Sequence, residues 1–226
     1  MASISMFPRL LLVGLAGSFL YACEVKVSTS GTVSPSATET AKASPSNNPE
    51  SPAKESPSSK TESPAKDSLD SPDAYYKRGL EKGKAGDAKG AAADFGEAIR
   101  LKPDYVEAHW NRGTAHSQMK DYAAAIADFS EVIRLKPEES AGYWKRGSAK
   151  GSANDKQGAI TDFTEAIRLT PEQPEPYSGR GFAKVELGDK QGGKADIEKA
   201  AELYQKIGDT EGYSKMKQVA EAIGQM

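Results

Sequence analysis

Residues 106–139 read VEAHWNRGTAHSQMKDYAAAIADFSEVIRLKPEE, and residues 140–173 read SAGYWKRGSAKGSANDKQGAITDFTEAIRLTPEQ. Aligned without a gap, both carry Trp, Arg-Gly, Ala, Asp, Ala-Ile, Asp-Phe, Glu, Ile-Arg-Leu and Pro-Glu at the same places, a period of 34. The period extends outward. Gly79, Gly113, Gly147 and Gly181 keep it, as do Asp87, Asp121, Asp155 and Asp189; Phe95, Phe129 and Phe163 keep it, as do Pro103, Pro137 and Pro171. Four copies follow, at 72–105, 106–139, 140–173 and 174–207. A unit of that length cannot close a core alone, so the copies must stack. Positions are counted below from the first residue of each copy.

Within a copy the pattern reads as two antiparallel helices. Gly at position 8 and Ala at position 20 (Ala91, Ala125, Ala159) let them approach closely. Ile99, Ile133 and Ile167, with Leu101, Leu135, Leu169 and Leu203, are expected to form the apolar stripe of the second helix. The Asp at position 16 can cap that helix, and the Pro at position 32 ends it or opens the next unit. The spacing predicts helices near 73–85, 88–101, 106–119, 122–135, 140–153, 156–169, 174–187 and 190–206. A ninth is predicted near 210–223 within the tail 208–226, where Tyr213, Met216, Val219, Ala220 and Ile223 share one face. In the fourth copy Gly193, Ile197 and Gln205 replace the usual Ala, aromatic and Pro.

This combination of Gly, Ala, aromatic and Pro resembles the tetratricopeptide repeat. The resemblance covers roughly 72–205. It implies an all-α fold, a right-handed α-solenoid of four hairpins plus a capping helix, to which the composition ahead of the repeats adds a disordered linker. It further implies a concave groove lined by positions 2, 5, 6, 9, 12 and 13 of the first helices. Carried over, the groove for a protein or peptide ligand holds Tyr76, Lys77, Trp110, Asn111, Trp144 and Lys145. Stacked aromatics beside lysines and an amide suit an extended peptide; packing against neighbouring helices is the alternative use of the same rings. The carboxylate clamp of chaperone-binding members is not matched, because Tyr76, Leu80 and Ala141 stand where it needs polar or basic groups. Glu175, Phe182, Val185 and Glu186 give the fourth copy a mixed acidic and apolar end.

One departure recurs in every copy. Position 7, usually Leu, is Arg78, Arg112, Arg146 and Arg180; position 11, usually Tyr, is Lys82, His116, Lys150 and Lys184; position 23 is Asp94, Asp128, Asp162 and Asp196. Positions 7 and 23 lie symmetrically about the hairpin turn, so an Arg–Asp pair that sets helix register is expected, against two separately solvated charges.

Ahead of the repeats, residues 1–22 read as a signal peptide, Arg9 preceding an apolar run that is too short to cross a bilayer. Leu20-Tyr21-Ala22-Cys23 resembles the lipobox of bacterial lipoproteins, which implies lipidation of Cys23, cleavage before it and anchoring in the cell envelope. The alternative is a Cys that falls by chance at the end of a hydrophobic segment. Residues 23–71 read as a disordered tether. No aromatic residue occurs from 24 to 71, and seven of the 13 prolines lie from Pro35 to Pro72.

Several chemistries fall away. One Cys and two His exclude a disulfide framework and an ordinary zinc site. With 30 Lys and Arg against 32 Asp and Glu, no basic footprint for nucleic acid is present. His109 takes the place of Tyr75, Tyr143 and Tyr177, so packing is expected of it rather than ligation. No phosphate-binding loop, dinucleotide fingerprint or nucleophile elbow occurs. The expectation is a non-enzymatic, cofactor-free, membrane-anchored scaffold that binds a segment of a partner through its groove. The alternative is a structural assembly subunit of an envelope machine, of the pilus-biogenesis or barrel-assembly type.

Overall fold

The computed structural model describes residues 70–226. The signal peptide, Cys23 and the tether up to residue 69 lie outside the described residues. Among these there are nine helices and no strand: α1 (Pro72–Lys84), α2 (Ala88–Leu101), α3 (Val106–Gln118), α4 (Tyr122–Leu135), α5 (Ser140–Ser152), α6 (Lys156–Leu169), α7 (Pro174–Glu186), α8 (Lys190–Lys206) and α9 (Thr210–Gly224). Each packs mainly against its neighbours in sequence, which makes an α-solenoid of four hairpins and a cap.

The helix starts follow from the side chains. Asp87, Asp121, Asp155 and Asp189 each accept a hydrogen bond from the amide three residues on, at 2.8–3.2 Å, satisfying one of the free donors of α2, α4, α6 and α8. The residue before each of these caps turns left-handed where the hairpin reverses: Gly86 and Gly188 adopt φ +81° and +94°, and at the same position Lys120 and Asn154 adopt φ 60° and 69°.

The core lies between the two helices of each copy. Ala91, Ala125 and Ala159 are buried, and the rings of Phe95, Phe129 and Phe163 fill the space left by the missing side chain at position 8. A Cβ at Gly79, Gly113 or Gly147 would stand 2.7–3.0 Å from the phenyl ring of its own copy. The fourth copy has Gly at both contact positions. A Cβ at Gly181 would meet the Gly193 carbonyl at 2.9 Å, and one at Gly193 would meet the Gly181 carbonyl at 2.8 Å and Val185 Cγ2 at 2.4 Å. Here the backbones of α7 and α8 nearly touch, and Ile197 takes the place of the ring.

The expected apolar stripe needs correction. Ile99, Ile133 and Ile167 are half-buried and Leu101 is exposed, whereas Ala98, Val132, Ala166 and Ala200 at position 27 are buried. The face that meets the first helix runs through positions 20, 24 and 27, a step of four then three, which leaves positions 28 and 30 at its margin in the first three copies; in the fourth, Ala201 and the expected Leu203 are buried. At the C-terminal end Met216, Val219, Ala220 and Ile223 of α9 close over Ile197, Ala201 and Tyr204 of α8. Contact between copies runs through position 10: Ala149 packs with Ala125 and Phe129 of the preceding copy. Ala115 and Ala183 are buried likewise, but α1 carries an exposed Glu81 there.

Candidate functional site

The first helices α1, α3 and α5 carry the six groove residues at equivalent positions, and neighbouring copies bring them together in pairs. Asn111 Nδ2 donates to the Tyr76 hydroxyl at 3.0 Å and to the Glu107 carbonyl at 2.8 Å. The Tyr76 ring rests 5.0 Å from Tyr105 and 5.7 Å from Phe95, between centroids. Burial, with Glu107 beside it, raises the Tyr76 phenol above its ordinary pKa. Trp110 is half-buried and sets its edge on Phe129, 5.8 Å between centroids. Lys145 Nζ lies 4.5 Å from the Trp144 ring centre and 6.0 Å from that of Trp110, so one ammonium bridges the indoles of two copies. Lys77 is exposed on α1.

Trp144 is the exception. It is only 5% exposed and belongs to a cluster with Ala159, Phe163 and Ala166, so its indole face is not open to a ligand. The cause lies one copy further along. Position 6 of α7 is Gly179, where a Cβ would stand 2.5 Å from Phe163, so α7 presses close against this cluster. Tyr76, Trp110, Asn111 and Lys145 therefore make the candidate contact surface, with Lys77 at its edge and Trp144 beneath it.

Thr114, Ser117 and Ser148 give the adjoining first-helix surface its hydroxyls. Each donates to the carbonyl four residues back, at 2.9–3.0 Å, leaving the oxygen as an acceptor. Glu175, at the end of this surface, is raised above the usual carboxylate range by burial and by Asp209, and is partly offset by Lys145.

The recurring Arg and Asp are structural. Arg78, Arg112, Arg146 and Arg180 each form a two-pronged pair with Asp94, Asp128, Asp162 and Asp196, with Nη2 to Oδ1 at 2.6–2.7 Å and Nε within 2.8–3.1 Å. The four carboxylates are buried. The sequence reading missed a third partner. Lys82, Lys150 and Lys184 bind the second oxygen of the same Asp at 2.7–2.9 Å, and their recurrence at position 11 was the available signal. Arg146 and Arg180 also donate to Ser130 and Thr164 of the preceding copy, at 3.2 and 3.3 Å, linking the copies in series. On the second helices, Glu97–Arg100, Glu131–Arg134 and Glu165–Arg168 pair within 2.7–2.8 Å, so these exposed charges are matched on their own helix.

No group of three or more His, Cys, Asp and Glu that could hold a metal ion occurs among the described residues. No helix among them is long and apolar enough to cross a membrane.

A family model described as tetratricopeptide repeat matches residues 76–140 and 112–174. No curated protein matches the chain. Among solved structures, MamA (residue 41 to the end) from Desulfovibrio magneticus RS-1 is similar at 23% identity and a TM-score of 0.57, covering 60% of this chain and 76% of that one. The first tetratricopeptide domain of Spaghetti (RPAP3), bound to an HSP90 peptide, gives 20% identity and a TM-score of 0.50, covering 54% and 96%. The TPR2B domain of yeast Sti1, in complex with pHsp70, gives 19% identity and 0.51, covering 53% and 96%. At these identities the likeness is one of fold.

Proposed function

We propose that the chain is a membrane-anchored adaptor whose repeats hold an extended segment of another protein against Tyr76, Trp110, Asn111 and Lys145. One observation carries this. Positions that recur from copy to copy are consumed by the fold: Gly seats Phe, Asp binds Arg, and Glu binds Arg on the second helices. The groove positions change instead. Position 5 runs Tyr76 and Trp110 before the buried Trp144 and Ser178, and position 6 runs Lys77, Asn111, Lys145, Gly179. Variation among otherwise equal copies is what reading an irregular ligand requires. The peptide-bound solved structures of similar fold support a peptide as the ligand. The anchor rests on the lipobox-like Leu20-Tyr21-Ala22-Cys23.

A photo-crosslinking residue placed at Lys77, on the groove side, is expected to trap a partner in intact cells. The same residue at Lys89, on the exposed side of α2, is expected to trap none, and Trp110→Ala with Asn111→Ala to abolish the Lys77 adduct while thermal unfolding stays cooperative. Adducts only from Lys89 would replace the groove by the outer face and favour the assembly-subunit reading. Mass spectrometry of the mature N-terminus tests the anchor: an unmodified Cys23 or an intact signal removes it.

A further inference from the structure

The second copy differs from the others at its charge centre. The chain has two histidines, and both face Asp128. His109 replaces the tyrosine of position 4 and His116 the lysine of position 11. In the other copies a permanent Arg and a permanent Lys hold the buried carboxylate; in this one an imidazole, His116, stands in the place of the Lys.

His109 is buried, 5% exposed. Its Nε2 lies 3.0 Å from the Pro103 carbonyl, an acceptor, so that nitrogen carries the proton. Its Nδ1 is buried without a hydrogen bond and lies 3.6 Å from Asp128 Oδ1. In the neutral ring this sets a nitrogen lone pair against a carboxylate oxygen, two acceptors with no proton between them. A second proton turns the contact into a donor facing an acceptor.

The surrounding charges are accounted for. Arg112, on the same helix, holds Asp128 at 2.6 Å. From α4, Asp128 Oδ2 lies 3.8 Å from His116 Nε2, and Asp121 Oδ2 at the α4 cap lies 3.9 Å from His116 Nδ1. On α2, Asp94 is bound by Arg78 and Lys82, and Glu97 by Arg100. On α5, Arg146 and Lys150 are bound to Asp162. Asp128 is thus the acid that an imidazolium at 109 meets.

We propose that the second repeat is an acid-tightened joint, in which protonation of His109 at Nδ1 closes the ring onto Asp128 and locks α3 to α4 as the pH falls from about 8 to about 6. The Asp128 carboxylate facing Nδ1, with the Pro103 carbonyl at Nε2, raises His109 above its ordinary pKa, against burial and Arg112, which oppose it. The extra stability is then complete below the unfolded value near 6.5 and is lost as the pH rises through the folded value. His109 immediately precedes Trp110 and Asn111 on α3, and the joint operates whatever occupies the groove.

The test is urea unfolding of the full-length chain at pH 6.0, 7.0 and 8.5, beside a carbon–proton NMR titration of the two imidazoles. The unfolding constant is expected to rise about threefold or more from pH 6.0 to 8.5, and His109 to titrate above about 6.5. In His109→Tyr, which restores the residue of the other copies, the rise is expected to shrink to less than about half. A packing role alone would lower the stability of His109→Tyr equally at every pH and overturn the proposal. Should that variant fail to fold, the titration of the unaltered chain decides: a His109 midpoint at or below about 6.5 also overturns it.

Discussion

Gly193→Ala sets the periodic pattern against the structure. The other three copies carry Ala at this place, so restoring the repeat would be expected to stabilise the chain: Ala is favoured over Gly within a helix by about 1 kcal/mol. The geometry of the fourth copy opposes it. The new methyl would stand 2.4 Å from Val185 Cγ2, 2.8 Å from the Gly181 carbonyl oxygen and 3.1 Å from the Val185 amide nitrogen. Two of these neighbours are backbone, so rotating one side chain cannot relieve the clash, and α7 must move away from α8. Overpacking of this kind costs about 1–3 kcal/mol, and backbone neighbours place it toward the upper end. The balance is a loss of about 1–2 kcal/mol. With a urea slope of about 1–3 kcal/mol/M, the midpoint drops by roughly 0.5–1 M. The comparison variant is Gly83→Ala, whose Cβ meets nothing closer than Ala91 Cβ at 3.9 Å, and which should hold or raise the midpoint. Equilibrium urea unfolding followed by circular dichroism measures both. A Gly193→Ala midpoint equal to or above the parent would refute the close approach of α7 and α8.

Two further outcomes follow from the charged residues. A double-mutant cycle on Arg112→Ala and Asp128→Ala should return a coupling of about 1.5 kcal/mol or more, because the carboxylate is buried; the same cycle on the exposed Glu131 and Arg134 should stay near 0.5 kcal/mol or below. Equal couplings would mean that solvent screens both pairs alike. Glu175→Gln should raise the melting temperature at pH 7 and leave it nearly unchanged at pH 4. A carboxyl raised by burial contributes stability while protonated and loses it as the pH climbs through the folded value, so the amide removes a penalty present only at the higher pH. A fall at pH 7 would show that the charge is stabilised where it sits.

The fold was legible because each of its constraints is written three or four times. Gly at position 8 and Asp at 16 mark the same contacts in each copy, Pro at 32 does so in the first three, and the helix ends fall within one residue of the expected ones. The Arg–Asp pairs were legible for the same reason, through symmetry about the turn. What escaped depends on comparing one copy with the next. Trp144 occupies a groove position by count, yet it is buried because the following copy has Gly179, a size effect that no single-position pattern carries. The lysines of position 11 recur in three of the four copies, but a second cation on one carboxylate shows only when three side chains meet. For His109, substitution of a tyrosine indicated a packed ring; the orientation of its two nitrogens toward Pro103 and Asp128 required coordinates.

Glu81 has a bearing on how these molecules coexist at high concentration. A stack of near-identical units offers each end as a template for the other, and a molecule whose first hairpin accepted the last helix of another would grow into a filament. At this edge the contact alanine is replaced by an acid. Docking the apolar face of a neighbour there would strip water from a carboxylate, a cost of several kcal/mol. At the opposite edge α9 turns its apolar side inward over α8. One charged residue and one closing helix thus both oppose end-to-end stacking of the described repeats.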